Sequence, residues 1–147
     1  TMKKLLASAF AVLAMTFSAK AGDDKPITVK QLPAVSQNFI KQHFADRKIA
    51  LVKEDTDFFE KSYEVVFTDL SKVEFDSDGQ WTDIESKQGY IPSSAVPARI
   101  NDYIKANYPD RKIKSIERER RGYEVDLTGN IDLKFDTAFN IVDIDAD

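Results

Sequence analysis

The chain resembles itself, and this self-similarity limits its possible folds more than any other feature. At an offset of 64, Leu32–Ile49 lies over Val96–Ile113 with eight identities in 18 positions, ending in the shared strings Asp46-Arg47-Lys48-Ile49 and Asp110-Arg111-Lys112-Ile113. Further on the offset becomes 60, and Tyr63–Glu85 lies over Tyr123–Asp145 with eight identities in 23 positions. The first copy therefore carries four extra residues between Glu54 and Ser62. Two copies are too few for a solenoid, so the pattern predicts a duplicated module.

Each copy opens with a helix signal. Pro33 and Pro97 suit a first helical turn, where a missing N–H costs no hydrogen bond. Val35, Phe39, Ile40 and Phe44, like Ile100, Tyr103, Ile104 and Tyr108, keep the three-and-four spacing of one apolar face. The spacing predicts helices that end near Phe44 and Tyr108. The period then switches to two, the mark of half-buried strands. Tyr63, Val65 and Phe67 alternate with Glu64, Val66 and Thr68, and Tyr123, Val125 and Leu127 with Glu124, Asp126 and Thr128. Val73 and Phe75, or Leu133 and Phe135, give the next strand, and Asp76-Ser77-Asp78-Gly79 is a hairpin turn by residue type.

With first strands around 49–53 and 113–118, each copy reads as one helix followed by four strands. That order, without βαβ alternation, predicts an α+β fold. The expectation is two tandem α-β-β-β-β modules, an antiparallel sheet with helices packed on one face. The modules span 32–87 and 96–147, with a linker at 88–95 and a lead-in at 22–31. Periodicity leaves open whether the strands form one sheet or two.

Ahead of the lead-in, Met2-Lys3-Lys4, the apolar run from Leu5 to Phe17 and Ala19-Lys20-Ala21 have the three parts of a secretory signal peptide. The run is shorter than the ~20 residues a bilayer-spanning helix needs. The sequence predicts cleavage near Ala21, a mature start at Gly22, no transmembrane segment after cleavage, and a periplasmic or secreted location. Thr1 before Met2 has no place in that scheme. Residues 22–147 hold 18 Lys and Arg against 25 Asp and Glu, a charge of -7. With no cysteine, an exported chain of this kind must be stabilised by packing alone. Both methionines lie in the leader, so the mature chain offers no sulfur ligand to a soft metal.

The leader, the two Pro-led helices and the Tyr-Glu-Val strand followed by a Phe-Asp hairpin resemble the periplasmic PepSY-like proteins, also called β-lactamase-inhibitor-like. The resemblance covers residues 32–147. It implies helices on one sheet face with the other face free. Relatives include a secreted β-lactamase inhibitor and inhibitory propeptide domains of metallopeptidases, so it also implies protein binding in the periplasm. That inhibitor is held by disulfides, which this chain cannot form. Asp69 sits at a comparable turn, and no inhibitory residue is carried over.

No catalytic residue emerges from the sequence. His43, the one histidine, has Asn107 as its counterpart and reads as structural, and no Gly-x-Ser-x-Gly string occurs. Asp76, Asp78 and Gly79 make only a fragment of a calcium loop, and the counterpart of Asp78 is Ala138, so they read as a turn and no metal or cofactor is expected. Asp143, Asp145 and Asp147 read as a solvated strand edge. Arg118-Glu119-Arg120-Arg121 is too short and isolated to bind nucleic acid and reads as hairpin cover. Two features suggest a binding surface instead. Phe58-Phe59 falls inside the four-residue expansion, and strict alternation places Trp81 on the free face with Glu64, Val66, Glu74, Asp83 and Glu85. The expected partner surface is therefore Phe58, Phe59, Trp81, Glu64, Glu74, Asp83 and Glu85, with the alternative that Trp81 and Phe58 or Phe59 cover an edge of the core. The reading is a non-enzymatic module that binds an unidentified periplasmic protein or peptide, in one form inhibiting an exported enzyme. The alternative is a structural or envelope-stress component without a single tight ligand.

Overall fold

The structure, a computed structural model, describes residues 24–146. The leader and the Gly22 start lie outside the described residues. Nine strands form one antiparallel sheet in chain order: β1 (Asp24–Pro26), β2 (Ile49–Asp57), β3 (Glu60–Phe67), β4 (Ser71–Phe75), β5 (Trp81–Ser86), β6 (Ile113–Glu119), β7 (Gly122–Leu127), β8 (Ile131–Asp136) and β9 (Ile141–Ala146). Among the described residues two helices, α1 (Ala34–His43) and α2 (Ala98–Asn107), and two 3₁₀ turns, Val29–Gln31 and Ser93–Ala95, accompany it.

This corrects the reading of two tandem α-β-β-β-β modules. β5 pairs with β6 in mid-sheet, setting Asp83 opposite Glu117, Ile84 opposite Ile116 and Glu85 opposite Ser115. Both isoleucines are fully buried, in a single core cluster that runs from Leu32 to Phe135. Separating the halves would expose that apolar row to water, so they fold as one unit. Residues 88–95, which run between β5 and α2, pack against the sheet. Ile91 and Ala95 belong to the core, and the Ile91 N–H donates to the Ile113 carbonyl at 2.9 Å.

The pleat sorts side chains to opposite faces. Val52, Val65, Val73, Ile84, Ile116, Val125 and Leu133 line up across β2 to β8 on the inner face. Both helices pack there. Phe39 of α1 meets Phe75 edge-on with ring centroids 5.9 Å apart, and Tyr103 of α2 meets Phe135 in the same way at 5.4 Å. The stripe expected of α1 holds at Phe39, Ile40 and Phe44 and differs at its first position. Val35 is exposed, while Ser36 is buried and donates its hydroxyl to the Gly79 carbonyl at 2.9 Å. Gly79 sits at φ +88°, and a Cβ there would lie 2.8 Å from that of Pro33, so the β4–β5 turn needs glycine to seat against α1.

Replacing Ile116 with Ala should cost about 2–5 kcal/mol and shift one calorimetric transition. Two separated transitions, only one of them shifted, would contradict a shared core.

Candidate functional site

The outer face of the sheet is left uncovered by both helices, and its cross-strand neighbours are mostly carboxylates. From β2 to β9 one row runs Lys53, Glu64, Glu74, Asp83, Glu117, Glu124, Lys134, Asp143. The next runs Lys72, Glu85, Ser115, Asp126, Asp132, Asp145 from β4 to β9. Like charges placed directly opposite one another destabilise a sheet. In the first half lysines offset the repulsion. Lys53 Nζ lies 3.5 Å from Asp24 and 3.4 Å from Glu64, and Lys72 Nζ lies 3.4 Å from Glu64 and 3.3 Å from Glu74. Among the described residues, no salt bridge reaches Asp83, Glu85, Glu117, Glu124, Asp126 or Asp132.

The electrostatics follow from that layout. Burial, then the charges of Glu117, Glu74 and Glu85, push the Asp83 carboxyl up to about 7, against the pull of Lys72. Burial and the charges of Glu119 and Glu124 raise Glu117 as well. Asp132 is raised to about 6 by a hydrogen bond with Asp126, by burial, and by the charges of Asp126 and Asp145. Oxygens of Glu117, Glu119 and Glu124 lie within 4.8 Å of one another, which makes them the one group among the described residues with a spacing that could hold a metal ion.

Beside this face stands the β2–β3 hairpin. β2 and β3 have nine and eight residues, where β6 and β7 have seven and six, so the four extra residues lengthen the hairpin by two pairs, about 7 Å. Asp57 pairs with Glu60, leaving Phe58-Phe59 as a two-residue tip. Their φ angles are 52° and 71°, and their side chains are 88% and 100% exposed. Tight hairpins call for this left-handed backbone and normally fill it with Asn or Gly, so two phenylalanines are strained there. Between this tip and the β4–β5 turn lies a cleft of about 510 Å³ lined by Asp57, Phe58, Glu60, Glu74, Asp76 and Thr82 among others.

The expected surface residues are thus partly brought together. Glu64, Glu74, Asp83 and Glu85 share the open face, and Phe58 and Phe59 cap its flanking hairpin. Trp81 does not belong with them. A register shift after Glu74 sets Phe75 opposite Trp81, turning the indole into the core at 7% exposure. There the Arg118 guanidinium lies over the ring at 4.4 Å and Tyr123 packs beside it. His43 Nδ1 contacts Ser94 Oγ at 2.9 Å, tying α1 to the turn before α2, and burial lowers its pKa. The Asp76 carboxylate accepts the Asp78 and Gln80 N–H groups, as Asp136 accepts those of Ala138 and Asn140. Asp69 pairs with Arg47 at 3.4 Å and accepts from Ser71; these contacts outweigh burial and hold its pKa below the usual carboxylate value. Sequence reasoning missed the acids of β6 to β8. Glu117, Glu124, Asp126 and Asp132 alternate with apolar residues as the acids of β3 to β5 do, but only the β5–β6 pairing reveals the continuous row.

Residues 61–143 match the family model described as "Putative beta-lactamase-inhibitor-like, PepSY-like". A solved "putative calcium-regulated periplasmic protein" from Bacteroides thetaiotaomicron is 51% identical with TM-score 0.80, over 85% of this chain and 98% of its own. A "putative periplasmic protein" from Bacteroides vulgatus is 50% identical with TM-score 0.79, over 84% of this chain and 97% of its own. Another from that species, of unknown function, is 35% identical with TM-score 0.75, over 83% and 98%. No curated protein matches.

Two outcomes follow from the geometry. Trp81→Ala should cost about 3–5 kcal/mol in urea unfolding, the loss expected of a buried aromatic; a change under about 1 kcal/mol would put Trp81 at the surface. For pH, the folded protein keeps the Asp83 proton up to about 7, while the unfolded chain releases it near ~3.9. Between those values the folded state binds more protons, so the Asp83 contribution makes stability fall as pH rises from about 4 to about 7. Asp83→Asn should flatten that slope in urea titrations across the range, and an unchanged slope would refute the assignment.

Proposed function

Because the chain belongs to the PepSY-like, β-lactamase-inhibitor-like family, whose solved relatives here are periplasmic proteins, we propose that it is a non-enzymatic periplasmic module that docks a protein or peptide. The docking elements are the open sheet face and the Phe58-Phe59 hairpin. One observation carries the reading: two phenylalanines stand in strained left-handed backbone at the end of a lengthened hairpin, almost fully in water. Strain and exposure both destabilise the free protein, and burial of the rings in a partner offsets them. An envelope component without a tight ligand has no use for such a tip. An exported enzyme whose cleft the tip enters is one form of partner.

A second reading, calcium control of the same face, is favoured by the convergence of Glu117, Glu119 and Glu124 and by the calcium-regulated name of the relative that is 51% identical. Under it, calcium raises the melting temperature of the protein and Glu117→Gln/Glu124→Gln removes the shift; no shift in the parent protein excludes it.

For the favoured reading, Phe58→Asn/Phe59→Gly should stabilise the protein by about 1–2 kcal/mol and abolish capture of a partner from periplasmic extract. A stabilised variant that still captures the same partner would remove the hairpin from the site.

A further inference from the structure

We propose that the occupant of this face is a lysine- and arginine-rich extended segment of another protein, with one basic side chain seated in the cleft beside Phe58. The proposal rests on the binding reading above and adds the chemistry of the partner.

Three independent features converge on it. First, the charge is lopsided. Lys53 and Lys72 pair with Glu64 and Glu74, whereas Asp83, Glu117 and Glu124 face one another across β5 to β7 without an ion pair among the described residues. Cations supplied from outside would turn that repulsion into pairing. Second, the 510 Å³ cleft sets an aromatic wall, Phe58, beside the carboxylates of Asp57 and Glu60, while Lys61, which also lines it, pairs with Glu54 at 3.6 Å. A guanidinium or ammonium group is stabilised by both kinds of neighbour at once. Third, the dimensions fit an extended chain. From Glu64 on β3 to Glu124 on β7 there are four strand spacings, about 19 Å, and alternate side chains of an extended peptide recur about every 6.8 Å. Three or four alternate basic residues therefore span the row. A single ion cannot neutralise a row of that length, and the basic Arg120-Arg121 tip of a second copy is only two residues long.

Calorimetric titration of the protein with hexaarginine, with hexaglutamate as control, tests the proposal. The expected result is saturable binding of hexaarginine alone, weakened at least tenfold by Asp83→Asn/Glu117→Gln/Glu124→Gln and several-fold by Phe58→Asn/Phe59→Gly. Asp46→Asn/Asp102→Asn/Asp110→Asn removes the same number of carboxyl groups away from the open face and should bind as the parent does. Equal weakening by the two triple variants, or no binding of hexaarginine, would overturn the proposal. So would calcium binding without hexaarginine binding, or self-association in the ultracentrifuge that Arg120→Glu/Arg121→Glu abolishes. A partner captured through Phe58-Phe59 whose complex survives the open-face triple variant and 0.5 M salt would sink the cationic occupant and leave the binding reading intact. Capture indifferent to the hairpin, beside hexaarginine binding that the open-face variant abolishes, would do the reverse.

Discussion

The pairing of β5 with β6 is the contact on which the rest of the molecule depends. It sets Ile84 against Ile116 in the middle of the inner row and joins the apolar side chains of both halves into one core. The same three residue pairs fix the other face, because the pleat allows no choice once the isoleucines point inward. Asp83 must then oppose Glu117, and Glu85 must oppose Ser115. The join that creates the core therefore also sets Asp83, Glu117 and Glu124 in one row without an ion pair among the described residues.

Two features of the proposed docking side run against stability. Burial, and then the carboxylates held around it, raise the pKa of Asp83 to about 7, and the Phe58-Phe59 tip stays in left-handed backbone with its rings in water. Several local choices elsewhere agree with the fold, although Leu70 and Phe139 also take left-handed backbone, at φ 71° and 69°. Gly79 takes the backbone its turn requires, Ser36 satisfies a buried carbonyl, and Arg47 meets Asp69. Local conflict of this kind concentrates where a protein does its work.

Much of this was legible in the sequence. Pro33 and Pro97 with the spacing behind them located both helices, and the Tyr-Glu-Val strings located the strands that follow. The expansion between Glu54 and Ser62 marked the hairpin that carries Phe58 and Phe59. Periodicity does not say which strands are neighbours, however, so the continuous sheet was hidden and the two-module reading was wrong. Trp81 was misplaced because a bulge is a property of paired strands, and strict alternation counted from Asp83 sends it to the wrong face. β1 gave no signal, since Asp24-Lys25-Pro26 has no apolar alternation and is held by backbone pairing to β2.

Hydrogen exchange of the protein, alone and in complex with a captured partner, tests the docking surface most directly. Slowed exchange in the β2–β3 hairpin around residues 57–60 and along β5 to β7, with α1 and α2 unchanged, is the predicted result. Protection confined to α1 and α2, with the hairpin and open face exchanging as in the free protein, would contradict it.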